Sequence, residues 1–191
     1  MAILVLGLIM FLGLHSTRIF AEGARETAIA HVGEGPWKVL YSLLSIIGFI
    51  LIIWGFAHAR WDATRLWEPG IFFRHLALTL MLISLILLGG YFFKKSHVSV
   101  AVHHPMLWAI FVWSLAHLLA NGSSADLLLF GAFVVWSAAD LWSAYGREAG
   151  KAYPTPEGSA TAGAVAVGIV LYALLLGGLH LWLFGVPPFT Y

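Results

Sequence analysis

The chain has 191 residues, of which 61% are hydrophobic and only 10% are charged, and its mean hydropathy is +0.90. Soluble domains carry about 25% charged residues, so this composition excludes an ordinary soluble domain, a disordered chain and a nucleic-acid-binding protein. It is typical of an integral membrane protein surrounded by membrane lipids. The nine histidines equal the nine acidic residues in number. Because ionisable groups are costly inside a membrane, the histidines are the first candidates for function.

Six apolar segments can be compared with the roughly 20 residues that a membrane-spanning helix needs. In chain order they cover residues 2–20, 38–60, 74–94, 105–120, 126–145 and 162–184. Pro105 suits a first helical position, and the polar turn at residues 121–124 can cap the fifth segment. We therefore expect an all-α, polytopic membrane helix bundle of about six transmembrane helices that forms a single domain over residues 1–191. The first segment is expected to be a retained span, not a cleaved signal peptide.

Basic residues in the loops predict the orientation, because cytoplasmic loops are enriched in Lys and Arg. With the N-terminus outside, seven basic residues lie on the cytoplasmic side: Arg18, Arg25, Lys38, Lys94, Lys95, Arg147 and Lys151. Three lie on the outer side: Arg60, Arg65 and Arg74. This asymmetry predicts an N-out, C-out topology.

The absence of cysteine excludes disulfides, c-type haem attachment, iron-sulfur clusters and cysteine-ligated zinc. No Glu-x-x-His motif is present, and Asp140 is the only acid expected inside a span, so a carboxylate-bridged metal pair is not expected. A histidine-ligated metal is the remaining class. Two glycine pairs, Gly89 with Gly90 and Gly177 with Gly178, predict close helix packing.

Four histidines lie within or at the rim of an apolar span, with polar or aromatic neighbours at helical spacing: His15, His58, His104 and His117. Around His117, Trp113, Ser114 and Asn121 lie one turn away and share its helix face. A neutral imidazole there can bind a metal through one nitrogen while its other N–H is hydrogen-bonded. The alternative is a histidine that only holds helices together.

The remaining positions have simpler interpretations. Arg18, one turn beyond His15, suits either a haem propionate or the lipid headgroups. The histidines in or beside polar loops are interpreted as solvated or interfacial: His31, His75 and His97. His180 is interpreted either as a histidine that stabilises the bundle or as one that hydrogen-bonds to a metal ligand without binding the metal itself.

Several motifs point to a known family. They are HSTRIF from His15, GEGPWKVLYSLLS from Gly33, WGFAHARWDATRLW from Trp54 and HHPMLWAIFVWSLAHLLANG from His103. Over residues 15–140 the sequence resembles the NnrU family of bacterial inner-membrane proteins. The resemblance implies a multi-pass protein of the bacterial inner membrane that is linked to denitrification, that is, to nitrite and nitric oxide metabolism.

The NnrU family is homologous to the plastid zeta-carotene isomerase, which holds haem b between two histidines. Carried over by motif, these ligands fall on His15 and His117, with His58 as a third functional histidine. The implied pocket groups are His58, His104, Arg18, Trp113 and Asn121. The implied ligand of the iron is a small hydrophobic molecule or a nitrogen oxide. The chain is accordingly expected to be a haem-dependent isomerase-like or redox protein. Ser114 stands where the isomerase has a cysteine, so a mechanism that needs that thiol, and carotenoid isomerisation itself, are not assumed.

Two other functions stay open. One is a non-catalytic accessory or assembly protein for a membrane-bound nitrogen-oxide reductase. The other is an S-adenosylmethionine-dependent lipid methyltransferase, because His104-Pro105, followed by Tyr145, Glu148 and Tyr153, is similar to the isoprenylcysteine carboxyl methyltransferase type of membrane enzyme. In that type an arginine stands where this chain has His103.

The predicted topology sets a condition on the haem ligands. His15 lies near the inner end of the first span, whereas His117 lies about 10 Å further toward the outer side at 1.5 Å per residue. A first helix that continues through residues 21–22 toward Arg25 would close most of this gap. Otherwise the site needs a different pair of ligands.

Overall fold

The structure is a computed structural model that describes residues 1–188, and over this range it consists of helices without strands. In chain order the helices are α1 (Ala2–His15), α2 (Thr17–Phe20), α3 (Glu22–Val32), α4 (Glu34–Ala59), α5 (Ile71–Phe92), α6 (His97–Val102), α7 (Pro105–Ala120), α8 (Ser124–Arg147), α9 (Gly158–Leu174) and α10 (His180–Phe184). A π-helical turn, Leu175–Leu179, joins α9 to α10. The predicted all-α class is confirmed.

Each of the six predicted apolar segments is helical. Four are long and apolar enough to cross a membrane: α4, α5, α8 and the 27-residue run Gly158–Phe184. Helices α1 and α7 have 14 and 16 residues and are shorter than the about 20 residues of a full span. The structure thus supports a membrane protein with four candidate spans, while the count of six and the orientation stay predictions.

The first compact unit comprises residues 1–68 and 122–143. Its centre is the antiparallel pair α1 and α4, whose backbones approach closely at glycines. A Cβ at Gly7 would lie 2.6 Å from the Ile52 nitrogen, and a Cβ at Gly48 would lie 2.9 Å from the Phe11 nitrogen. Phe133 on α8 packs on the same pair, with its ring 6.2 Å from the ring of Phe11.

The second compact unit comprises residues 69–121 and 144–188 of the described chain. Helix α5 packs antiparallel to both α7 and α9. Ser84 Oγ on α5 donates a 2.7 Å hydrogen bond to the Ala109 carbonyl on α7. On the other side, a Cβ at Gly168 of α9 would lie 2.7 Å from the backbone of Ile86. These contacts fix the register of three helices relative to one another.

Of the two glycine pairs that were predicted to allow close helix packing, one does so and the other does not. Gly89 is confirmed, because a Cβ there would collide with the Ala164 carbonyl of α9. Gly177 and Gly178 are not packing sites, since a Cβ at either position would meet nothing within 4 Å. Gly178 instead has φ 123° inside the π-helical turn, a backbone conformation that favours glycine. The second pair therefore breaks a helix and does not join two helices.

The first helix does not continue toward Arg25. Ser16 is still helical, but Ala21 has φ −141° and ψ 40° and separates α2 from α3. The helical continuation on which the haem scheme depended is therefore interrupted at Ala21, because a run of good helix formers does not exclude one non-helical residue. Helix α1 itself already ends at His15, where Ser16 separates it from α2.

One side of α4 is covered with exposed apolar side chains. These are Val39, Leu40, Leu43, Ile46, Ile47, Phe49, Ile50, Ile53 and Trp54. Soluble proteins rarely expose so large an apolar surface. The pattern fits a helix whose outer face contacts lipid.

The α1–α4 contact predicts opposite effects for two glycines of α1. Gly7→Ala should destabilise the protein by about 1–3 kcal/mol, because the new methyl group meets backbone atoms that cannot move aside independently. Gly13→Ala, with nothing within 4 Å, should be neutral or stabilising by up to about 1 kcal/mol. Thermal unfolding of both variants in the same detergent measures the difference, and equal stability of the two variants would contradict this packing.

Candidate functional site

Three of the predicted site histidines each make the same kind of hydrogen bond, and this bond fixes the tautomer of the ring. In each, Nδ1 bonds the backbone carbonyl four residues earlier: His15 to Phe11 at 2.7 Å, His58 to Trp54 at 2.9 Å, and His117 to Trp113 at 2.9 Å. A carbonyl oxygen can only accept, so Nδ1 carries the proton and the neutral ring has its lone pair on Nε2. This is the tautomer that metal-binding histidines use when their other nitrogen is held by the protein.

His15 lies against aromatic side chains from all parts of the first unit. Its ring centre is 4.3 Å from that of Phe11, 5.3 Å from Tyr41 on α4, and 6.1 Å from Trp136 on α8 in an edge-on arrangement. Trp136 Nε1 is buried and has no hydrogen-bond partner in residues 1–188. The His15 imidazole is therefore partly enclosed by an aromatic wall that contains a buried donor.

Charged side chains follow His15 along the chain. Arg25 and Glu22 form a 3.1 Å ion pair on α3. Arg25 and Asp140 both act electrostatically on the Tyr41 phenol beside His15. Arg18 lies on α2, three residues beyond His15, and its side chain is exposed. These groups place charges of both signs near the end of α1 that carries His15.

His58 does not join His15. The antiparallel register that sets Phe11 against Gly48 places His15 level with about residue 44 of α4. His58 is 14 residues further along the same helix, which corresponds to about 21 Å. Its side chain is exposed, and its ring meets Trp54 edge-on at 5.4 Å. His15 and His58 belong to opposite ends of the hairpin.

His117 lies near the end of α7 and has three notable neighbours. The Trp113 ring is 5.2 Å away, as expected from the helical spacing. Asn121 donates its side-chain amide to the His117 carbonyl at 2.8 Å, so it caps the helix and bonds the backbone of His117. The third neighbour is His180, whose ring centre is 6.4 Å from that of His117, with the two planes 21° apart.

His104 lies at the other end of α7, where it precedes Pro105. Thirteen residues separate it from His117, or about 20 Å along the helix, so the two histidines do not share a site. His104 Nε2 is 3.4 Å from Glu148 Oε2. Its ring meets Tyr145 edge-on at 5.0 Å. The structure thus pairs His104 with one residue in the last turn of α8, Tyr145, and one just after it, Glu148.

Two tyrosines complete this His104 cluster, which consists of His103, His104, Tyr145, Glu148 and Tyr153. The Tyr145 hydroxyl donates to the Val102 carbonyl at 2.7 Å and accepts from Trp108 Nε1 at 2.9 Å. Tyr153 stacks on the His103 ring at 3.7 Å. His103 has φ 57°, which is uncommon for a residue other than glycine and marks local strain.

Glu148 carries the negative charge of the His104 cluster. Partial burial acts to raise the pKa of its carboxyl group. Hydrogen bonds from Lys151 Nζ at 3.3 Å and the Tyr153 hydroxyl at 3.1 Å, together with the charge of His104, outweigh that effect. The pKa of Glu148 is therefore lowered from its usual value, and the group is a carboxylate at neutral pH.

The donor atoms limit the kinds of metal that can bind. No three His, Asp or Glu side chains converge within the described chain. A structural zinc ion needs four protein ligands and a catalytic one needs three.

His180 is the neighbour of His117 that sequence reasoning did not find. Its neighbour His117 is 63 positions earlier, so no local spacing connects them. The available signal was the sequence Gly177-Gly178 immediately before it, which marks a change in helix geometry. Interpreting those glycines as packing sites concealed this signal.

No curated protein and no solved structure matches the chain. The family model described as "NnrU protein" matches residues 3–188, nearly the whole length. The match includes α1, which carries His15, α7, which carries His117, and α10, which carries His180. The chain therefore belongs to the NnrU family.

Proposed function

We propose that this protein is a haem b-binding protein of the bacterial inner membrane that acts in nitrite and nitric oxide metabolism. The single observation that carries the proposal is the environment of His117. It is a half-buried imidazole on an apolar helix, its Nδ1 is held by the Trp113 carbonyl, and an aromatic ring and a second imidazole lie beside it. These are the properties of an axial haem ligand.

The residues present fit haem better than a bare metal ion. A porphyrin supplies four nitrogen ligands, so the protein needs to provide only one or two imidazoles. Trp113 and Phe184 offer flat apolar surfaces next to His117 and His180 respectively. When bound, haem b supplies an iron for electron transfer or for binding a small ligand such as a nitrogen oxide.

The role of His117 is to bind through Nε2 while its Nδ1–H stays bonded to the helix. Asn121 supports it by capping the same carbonyl end of α7. His15 is the second ligand that the resemblance implies. In that predicted scheme Arg18 is the propionate partner, and the His15 ring has the same tautomer as His117.

Ser114 favours redox or ligand binding over polyene isomerisation. It occupies the position of the isomerase cysteine, is fully buried, and donates within its own helix to the Ile110 and Phe111 carbonyls at 2.8 and 3.0 Å. A hydroxyl engaged in this way within its own helix cannot supply the chemistry of a thiol. The family's isomerase chemistry is therefore not proposed for this chain.

The visible spectrum of the protein tests the haem proposal. After expression with haem supply and purification in detergent, the wild type should show a Soret band with about one haem per chain. His117→Ala should lose most of this absorbance, because the best-supported ligand is removed.

His31→Ala is the matched control, since His31 makes the same Nδ1 bond to a carbonyl, with Thr27, but is exposed on α3. Its Soret band should equal that of the wild type. A wild-type protein without haem that co-purifies with a nitrogen-oxide reductase would contradict the proposal and favour the accessory function.

Methyl transfer is a second candidate, which the His104 cluster favours. The structure brings together His104, Tyr145, Glu148 and Tyr153, the residues that carried the methyltransferase likeness. The Glu148 carboxylate suits the cationic part of S-adenosylmethionine. His103, however, stacks on Tyr153 and replaces the arginine that would hold the carboxylate end.

Saturable binding of S-adenosylmethionine to the purified protein tests this second candidate. Glu148→Gln should weaken binding about tenfold, which corresponds to the roughly 1.4 kcal/mol of one charge-assisted contact. Because the pKa of Glu148 is lowered, wild-type binding should persist below the usual titration range of glutamate and fall as the pH drops through that lowered pKa.

Glu157→Gln is the control for this measurement, since Glu157 forms an exposed 2.7 Å ion pair with Lys95 outside the cluster. It should bind like the wild type. If wild-type protein shows no saturable binding, the methyltransferase candidate is rejected.

A further inference from the structure

Two glycines with positive φ, Gly178 before His180 and Gly185 after it, determine where His180 lies. The helix widens into the π-helical turn Leu175–Leu179, in which Gly178 has φ 123°. π-Helical turns interrupt regular helices and are frequent at functional sites. Helix α10 then ends at Gly185, which has φ 72°, and the chain folds back so that the Val186 carbonyl accepts a 2.8 Å hydrogen bond from His180 Nδ1.

The helix register brings this turn to the level of His117. Ser84 of α5 contacts Ala109, and His117 lies eight residues beyond Ala109 on α7, level with about residue 76 of α5. Ile86 of α5 contacts Gly168 of α9, so residue 76 is in turn level with about residue 178. The break in the sixth apolar segment therefore lies beside the end of α7.

The two imidazoles have matching chemistry. Each donates its Nδ1 proton to a backbone carbonyl, His117 to Trp113 and His180 to Val186, so each neutral ring has its lone pair on Nε2. Neither bond comes from a mobile side chain. Both rings are therefore held in the tautomer of a ligand by fixed parts of the fold.

The ring separation fits two ligands of one ion. With metal–nitrogen distances of about 2 Å and about 1 Å from each nitrogen to its ring centre, imidazoles on opposite sides of an ion have centres about 6 Å apart. The observed distance between the His117 and His180 ring centres is 6.4 Å. The two ring planes are 21° apart.

We propose that His117 and His180 are the two axial ligands of one haem held within the second unit. The inference rests on the proposed haem function and replaces His15 with His180 as the partner of His117. It follows from the 6.4 Å separation of two imidazole rings whose Nδ1 atoms are both hydrogen-bonded to backbone carbonyls. It also follows from the π-helical turn that positions His180. His15 then has a role other than ligation of this iron.

The experiment titrates haemin into protein purified without haem and records absorption and electron paramagnetic resonance spectra. Wild type should bind one haemin per chain as a low-spin, bis-imidazole complex. His180→Ala should lose most of the low-spin signal and become high-spin, and added imidazole should restore the low-spin form. His15→Ala should remain low-spin.

Two further variants keep the result interpretable. His75→Ala is the matched control, because His75 is exposed on α5 at about the depth of His117 and should leave the spectrum unchanged. His180→Met keeps a ligand at the position and should stay low-spin with a raised reduction potential, since a His/Met pair favours the reduced iron. This variant tests the assignment even if His180→Ala does not accumulate.

The outcomes separate the two proposals. A low-spin His180→Ala together with a high-spin His15→Ala would overturn the His117–His180 assignment while leaving haem binding in place. A wild-type protein that binds no haemin would overturn the proposed function itself. An unchanged potential in His180→Met would also count against ligation by residue 180.

Discussion

The register of the helix pairs is the constraint on which the arrangement of the polar groups depends. Glycines allow backbones to meet directly, Gly7 and Gly48 in the first unit and Gly89 and Gly168 in the second. A slip along such a contact would drive a Cβ or a side chain into backbone atoms. Because the register cannot shift, the height of each histidine in its unit is fixed.

This register separates some histidines and joins others. In the first unit it puts His15 and His58 at opposite ends of one hairpin. In the second unit it puts His104 and His117 at opposite ends of α7 and brings His180 beside His117. The second unit therefore contains two polar clusters about 20 Å apart, each built from two segments that are distant in the sequence.

The two clusters of the second unit differ in their electrostatics. The His104 cluster contains an ionised glutamate with Lys151 and two tyrosine hydroxyls nearby, so it suits a charged ligand near the membrane surface. In the His117–His180 pair, by contrast, Nδ1 of each imidazole is hydrogen-bonded to a backbone carbonyl, that of Trp113 for His117 and that of Val186 for His180.

The sequence by itself determined the helical segments and the neighbours of each histidine on its own helix. Low charge and long apolar runs required helices, Pro105 marked the start of α7, and Trp113 and Asn121 were correctly expected beside His117 because helical spacing is local. Only the tertiary structure decided that α1 breaks before Arg25, that Gly178 bends a helix, and that His180 meets His117. Those outcomes depend on a single dihedral angle or on register between distant segments, and no periodicity in the sequence encodes either quantity.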